Sequence, residues 1–265
     1  MKLSGQKFLG ENRIIKQVKD NTIALTAYST NRSFEEWHAH ENSSISLLLN
    51  GTHHEDLAGK SYLRLPGDLK FIPAGQFHRC NQYKQSIKLN LDLSADLLKD
   101  LQLTADTITE RLQYTHELKF TLLKLYQELD DTANHSLASA QILLHQLLKP
   151  QVKSEKHHLN HLPIWALKLK ELLNDQWNST FDLHDLALQI GVHPVTLSKY
   201  FPLYFSETLG TYLKGIKIEK AMVMIRSTAL SLTEIAYTCG FSDQAHFTRT
   251  FKAYTGFLPK HYRNL

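Results

Sequence analysis

The chain has 265 residues, 42% hydrophobic and 21% charged, a composition that excludes collagen-like, low-complexity and disordered classes. Thirty Lys and Arg against 26 Asp and Glu give a formal net charge of +4, too slight to point by itself to a nucleic-acid partner. Two distant cysteines, Cys80 and Cys239, exclude a disulfide framework and suit a reducing compartment. The first residues lack the apolar core of a secretory signal, and no run of about 18 apolar residues occurs, so a cytoplasmic protein with no membrane span is expected.

The first ninety or so residues read as strands. Residues 22–30 are rich in β-formers, and 45–49 is an apolar run closed by Asn50-Gly51, a hairpin-turn signal. Residues 53–57 follow as the next strand. Residues 69–72 are entered through Pro66-Gly67 and left through Pro73-Ala74-Gly75. Residues 87–93 alternate apolar and polar side chains, as a half-buried strand does. Short strands between Gly/Pro turns predict a small antiparallel barrel or sandwich.

Helical spacing begins at Ser94, which reads as the N-cap of a helix over 94–101. Leu118, Leu122, Leu125 and Leu129 mark a helix over 115–129, and Leu143, Leu144, Leu147 and Leu148 one over 137–148. Pro150 opens a polar stretch without apolar period, including His157 and His158, that reads as a solvated linker. Beyond Leu162 the signal is helical throughout: 163–174 with Pro163 at a first-turn position, 182–190, a helix from Pro194, a long one over 208–226, 231–239, and 243–254 ended by Gly256 and Pro259. The predicted fold is α+β in two domains. An antiparallel β-barrel occupies 1–93, a helical connector 94–150, a linker 151–161 and an all-α domain 162–265.

Two segments of the all-α domain share one plan. Residues 183–201 (LHDLALQIGVHPVTLSKYF) and 232–251 (LTEIAYTCGFSDQAHFTRTF) each carry an acid, an apolar residue and Ala, then Gly, an apolar residue and a turn-forming pair. Each then has an apolar pair four apart, Leu197/Phe201 and Phe247/Phe251. Ala lets two helices cross closely, Gly supplies a positive φ, and the cap starts a second helix with the apolar pair inward. This is helix–turn–helix logic stated twice. The helix between them, about 28 Å long at 1.5 Å per residue, suits two reading helices set in major-groove faces about 34 Å apart.

The last hundred residues resemble the tandem helix–turn–helix domain of the AraC/XylS family of transcription regulators. Residues 240–263 (GFSDQAHFTRTFKAYTGFLPKHYR) match the family signature almost throughout, and 216–225 (IKIEKAMVMI) match its linker helix, with Lys217 where Arg is usual. Ser206 stands where the family has Gly, and Pro202 falls inside the first recognition helix, which is therefore expected to be bent or short. The resemblance implies that Val195, Ser198, Lys199, Gln244, Thr248 and Arg249 face base edges. Arg249 has the geometry for guanine and Gln244 for adenine. Lys252, Lys260 and Arg263 read as phosphate-contacting or structural groups. Trp165, Leu197, Phe201, Phe247 and Phe251 read as core. From residue 161 onward, 11 Lys and Arg face 8 Asp and Glu, so most of the small basic excess lies here.

Residues 37–51 and 66–78 resemble the two motifs of a cupin barrel. His38 and His40 occupy the H-x-H slot, alternate residues that share a strand face, and His78 can meet them inside. Three imidazoles are a competent set for zinc, iron or nickel. Ser44 and Ile45, however, stand where the barrel motif adds a Glu. The three histidines are accordingly assigned to an effector pocket, with no metal or other cofactor required. His53 and His54, adjacent on a strand, face opposite ways. The expected protein is a regulator, an activator by family habit and not an enzyme, that binds promoter DNA, a small-molecule effector and RNA polymerase. It dimerises through the helices of 115–148. The alternative is a metal-dependent cupin enzyme, an isomerase or dioxygenase, fused to a DNA-binding module. A third reading keeps the barrel for assembly alone.

Overall fold

A computed structural model describes residues 2–3, 8, 10–28, 32–57, 59–114, 117–130, 136–148 and 162–265. They group into two compact units, one drawn from 1–113 and 117–150, the other from 114–116 and 151–265. The expected linker over 151–161, with His157 and His158, lies outside the described residues.

The first unit is built on eight strands: β1 (Lys2–Leu3), β2 (Glu11–Val18), β3 (Asn21–Tyr28), β4 (Arg32–His40), β5 (Ser43–Leu57), β6 (Lys60–Arg64), β7 (Leu69–Ile72) and β8 (His78–Leu93). They form one curled sheet, a half-barrel, antiparallel except for the β1–β4 pair. The long β8 is its spine, pairing with β3 and β4 on one side and β5 on the other. Asn50-Gly51 does not make the expected hairpin. β5 runs straight through it, and the register against β8 shifts on either side of Asn50, with Gly51 at φ 80°. The Gly therefore serves a bulge within one strand instead of a turn between two.

The alternation in 87–93 is real, but both faces are buried. Ile87, Leu89, Leu91 and Leu93 share an apolar face, where Leu89 lines up with Leu25 and Leu47, and Leu91 with Ile23 and Ile45. Lys88, Asn90 and Asp92 align with Thr22, Thr26 and Ser46 on a face that is polar and buried as well. Part of it is satisfied laterally: Asn90 donates to Thr26 Oγ1 at 2.9 Å, and Thr26 donates to Asn12 at 2.8 Å, while Thr22 Oγ1 and Asp92 Oδ1 are buried without a hydrogen-bond partner among the described residues.

Four helices follow: α1 (Ala95–Asp100), α2 (Ala105–Tyr114), α3 (Glu117–Asp130) and α4 (Ser136–Leu148). Ser94 caps α1 by accepting from Leu97 N. α2 was not foreseen. Helices α3 and α4 pack on each other and on β2, burying Leu118, Leu122, Leu125, Tyr126, Leu144, Leu147 and Leu148. Most of the leucine stripes assigned to dimerisation is thus buried within the chain, with Leu129 and Leu143 half-buried. On α4 the outward side chains include Ile142, 59% exposed.

The second unit contains α5 (Ile164–Asp175), α6 (Leu183–Ile190), α7 (Pro194–Phe205), α8 (Leu209–Ser227), α9 (Leu232–Thr238), α10 (Gln244–Thr255) and α11 (Pro259–Arg263). Pro163 is the N-cap of α5, one residue before the position expected for it. Pro259 begins α11 at its first turn, so it starts a helix as well as following one. Leu197, Phe201, Phe247 and Phe251 are fully buried, whereas Trp165 is partly buried against its cluster. The long α8 packs against α7, α9, α10 and α11. Among the described residues no helix is long and apolar enough to cross a membrane.

Candidate nucleic-acid interface and buried histidine cluster

The two helix–turn–helix segments repeat down to their backbone bonds. Gly191 and Gly240 adopt φ 73° and 70°. Val192 N donates to Ala187 O at 2.9 Å, and Phe241 N to Ala236 O at 3.0 Å, the six-to-one bond that closes a helix at a left-handed residue. A Cβ at Gly191 would meet nothing within 4 Å, so φ alone requires glycine there. The second helices start from matched caps, His193 Nδ1 accepting from Val195 N at 3.2 Å and Asp243 accepting from His246 N at 2.7 Å. They end fifty residues apart, at Ser206 with φ 62° and Gly256 with φ 84°. Pro202 does not shorten α7, which continues to Phe205.

Burying Leu197/Phe201 and Phe247/Phe251 turns the opposite faces of α7 and α10 outward. Val195, 64% exposed, stands out with Ser198 and Lys199 on α7. Gln244, Arg249 and Lys252 are exposed on α10, and Thr248 is half-buried beside them. The two helices thus each present the assigned residues along one outer face. Gln244 is already engaged, its Oε1 accepting from Thr233 on α9 at 2.6 Å, which holds its amide at the entrance of α10. Asp243, the cap, is held below the usual carboxylate range by the His246 backbone N–H and by Ser242, with Arg249 adding to the effect. Lys260 is exposed on α11. Arg263 donates to Leu230 O at 2.8 Å, a structural bond within the unit.

The histidine cluster lies on the polar face of the half-barrel. Between Glu35↔Cys80 and His38↔His78 the register slips, three steps along β4 against two along β8. This extra residue leaves Glu36 and Trp37 outside and returns His38, with His40 two residues on, to the inner face. The ring centroids lie 5.0 Å apart for His38–His40, 4.3 Å for His38–His78 and 5.2 Å for His40–His78. His38 Nδ1 donates to Glu36 O at 2.7 Å and His78 Nδ1 to Gln76 O at 3.1 Å. A carbonyl can only accept, so these bonds fix both rings as Nδ1–H tautomers. Burial, then repulsion from His78, His38 and Lys88, holds His40 down to about 3. Burial lowers His78 as well, against the opposing bond to Gln76 O.

The cluster borders a cavity of about 30 Å³, room for one or two water-sized groups. Tyr28, Glu35, Ser44, Glu55, Lys88 and Asn90 share its wall. The charged members escaped sequence reading because a charge in an alternating strand normally marks a solvated face. Burial alone would raise Glu55, but Arg64 and Lys70 outweigh it and hold the carboxylate low, Lys70 at 3.0 Å. Burial alone would lower Lys88, but Tyr28 and Glu35 outweigh it and hold the ammonium above its ordinary value. His53 is fully buried with neither ring nitrogen bonded, while His54 is exposed, so the two do face opposite ways.

A tandem helix–turn–helix unit thus follows, in chain order, a curled β unit with a small polar cavity, the two-domain class of architecture that the sequence predicts. The family described as AraC-like ligand binding domain matches residues 21–148, and that described as helix-turn-helix domain matches residues 186–265. Among curated proteins, the HTH-type transcriptional activator RhaS of Enterobacter sp. (strain 638) is 26% identical over 157 residues, covering 56% of this chain and 53% of that protein. RhaS of Escherichia coli O9:H4 (strain HS) is 28% identical over 141 residues, covering 51% and 48%. The chain therefore spans about half the length of the curated relatives it matches. Among solved structures, ToxT from Vibrio cholerae aligns over 92% of this chain and 98% of its own at 11% identity and a TM-score of 0.38. The chain belongs to the AraC family of regulators.

Proposed function

We propose that the protein is a sequence-specific DNA-binding transcription activator whose hold on promoter DNA is set by an effector in the first unit. The observation that carries this reading is the twofold repetition of caps, left-handed turns and buried apolar pairs. It leaves Val195, Ser198 and Lys199 on one helix, and Gln244, Thr248, Arg249 and Lys252 on another, free of core duties. Arg249 suits the O6/N7 edge of guanine, Gln244 the edge of adenine, and Val195 the methyl of thymine. Lys252 and Lys260 supply phosphate contacts, which position without reading. His38, His40 and His78 line the effector pocket. The effector regulates by favouring one arrangement of the chain over another, a coupling between two sites and not a catalytic step. The protein is no enzyme on this reading; it works in the cytoplasm and contacts RNA polymerase.

The domain boundaries follow the same assignment: 1–93 for the sensor, 94–150 for the connector, 151–161 for the linker and 162–265 for DNA binding. Homodimerisation uses the outward side of α4 around Ala138 and Ile142, since the leucines facing inward are already buried. The experiment is a gel shift of the full chain on DNA upstream of its own gene across a salt series. Retardation that weakens linearly in log salt is expected. Folded protein that gives none at low salt refutes the proposal.

A further inference from the structure

Two groups of side chains among the described residues place metal-competent atoms within 4.8 Å of one another: His38/His40/His78 and Glu55/His78/Cys80. The second is committed elsewhere. Glu55 pairs with Lys70 at 3.0 Å and Arg64 at 3.9 Å, and the buried Cys80 keeps its proton, donating toward Glu55 at 3.8 Å. The first is differently prepared. His38 and His78 each spend Nδ1–H on the carbonyl two residues back, Glu36 O and Gln76 O. Their Nε2 atoms have no hydrogen-bond partner among the described residues. This is the arrangement in which a carbonyl fixes the tautomer and aim of an imidazole and leaves its other nitrogen as a donor to a metal. Nothing in the hydrogen bonding of the fold requires three imidazoles here. The rings come together because β4 accepts an extra residue.

The cavity decides which ligand fits. Its volume of about 30 Å³ takes one ion with a water, an order of magnitude below the roughly 300–1,000 Å³ of sites that enclose organic ligands. An all-imidazole set is also the wrong one for calcium or magnesium, which take oxygen donors, and a suitable one for zinc, cobalt or nickel. We propose that His38, His40 and His78, one nitrogen each, bind a divalent transition ion of the zinc class, and that this ion is the effector of the first unit. Three protein ligands leave a fourth position open to the cavity, and Ser44, near where a carboxylate would have closed it, lines the same wall. The effector role rests on the regulatory reading above; the binding site does not.

The test uses the full chain stripped with a chelator and titrated with Co²⁺, followed by its visible d–d absorption and by competition with Zn²⁺. The same samples then go into the gel shift. One Co²⁺ per chain is expected, with the bands of a four-coordinate site. His40→Ala and His78→Gln should each weaken binding by more than about 100-fold, beyond the loss typical of an outer-shell change. His54→Ala, exposed on the outer face, should leave it unaltered. Should either variant fail to fold, X-ray absorption of the zinc-loaded native chain gives an independent answer, three imidazole shells being expected. Zn²⁺ should change DNA affinity by about 5–150-fold.

Substoichiometric binding, binding that survives both histidine variants, or an oxygen-only coordination shell overturns the site. Tight binding at the site that leaves DNA affinity unchanged overturns the effector assignment. Absence of retardation with and without metal, while cobalt still binds as expected, upholds the site and refutes the DNA-binding proposal instead.

Discussion

Pro202 offers a test worked from the internal repeat. Helices α7 and α10 superpose by a fixed step of fifty residues, caps included, so Pro202 occupies the place of Lys252. Both carbonyls bond the closing residue alike, Ser206 N to Pro202 O and Gly256 N to Lys252 O, each at 2.9 Å. What Pro202 lacks is its own N–H, which leaves Ser198 O without its helical donor. An interior proline costs about 3 kcal/mol, offset by about 0.4–1 kcal/mol because it stiffens the unfolded chain. Pro202→Lys should therefore stabilise the second unit by about 2 kcal/mol. In a unit of roughly 100 residues that corresponds to a rise in melting temperature of about 8–15 °C. The assay is urea and thermal unfolding of the full chain in a Trp37→Phe background, where Trp165 and Trp177 report only the second unit. The new lysine also faces outward. It should steepen the slope of log affinity against log salt by about 0.9, one additional phosphate contact. An unchanged or lower unfolding midpoint would refute the energetic argument. A gain in stability with no change of slope would refute the placement of positions 202 and 252 beside the DNA backbone.

Arg249→Ala should weaken binding to the preferred site by about 1–3 kcal/mol and relax the choice at one base pair, whereas Lys252→Ala should weaken all sequences alike and lower the salt slope by about 1, as competition gel shifts would resolve. Ser206 pays for a left-handed conformation that costs an L-residue about 1–2 kcal/mol; Ser206→Gly should raise the urea midpoint slightly once glycine's extra unfolded freedom is subtracted, and Gly256→Ala should lower the unfolding free energy by at least about 1 kcal/mol. Burial, then Lys88, Arg64 and His78, holds His53 far below its ordinary value, so the folded state binds fewer protons there than the unfolded one. Its contribution to stability is full above the unfolded value near 6.5 and is lost progressively as pH falls below it. His53→Leu should flatten this acid sensitivity in denaturation curves taken between pH 7 and 4, without lowering stability at pH 7, because it removes a buried ring with no hydrogen bond.

The second unit was legible because its instructions are local. Ala187, Gly191, Ala236, Gly240 and the caps each act within a few residues, and the sequence states them twice. The first unit was less so, because its decisive features are lateral. Asn50-Gly51 reads as a turn until β8 is seen to continue alongside it. Lys88, Asn90 and Asp92 read as a wet face, although neighbouring strands bury them and Thr26 accepts from Asn90. Helix α2 offers little apolar stripe, Ile108 being its buried member among the described side chains. Its start is set by a reciprocal bond pair between Thr104 and Thr107, where a capping signal usually shows Glu or Gln. His38, His40 and His78 could be grouped from motif spacing, but their tautomers and the small cavity beside them follow only from the folded backbone.

The slipped step between Glu35 and His38 makes strand length itself carry information. Every substitution at Glu36 or Trp37 leaves the three imidazoles aimed inward, because the aim depends on how many residues lie between Glu35 and His38 and not on which they are. Removing one of the two would restore an even ladder that still sets His38 opposite His78 on the inner face, whereas removing both would turn His38 and His40 outward together. In this protein the pocket is thus buffered both against amino-acid replacement at those two positions and against the loss of a single codon there, the bulge holding one residue more than the ladder needs.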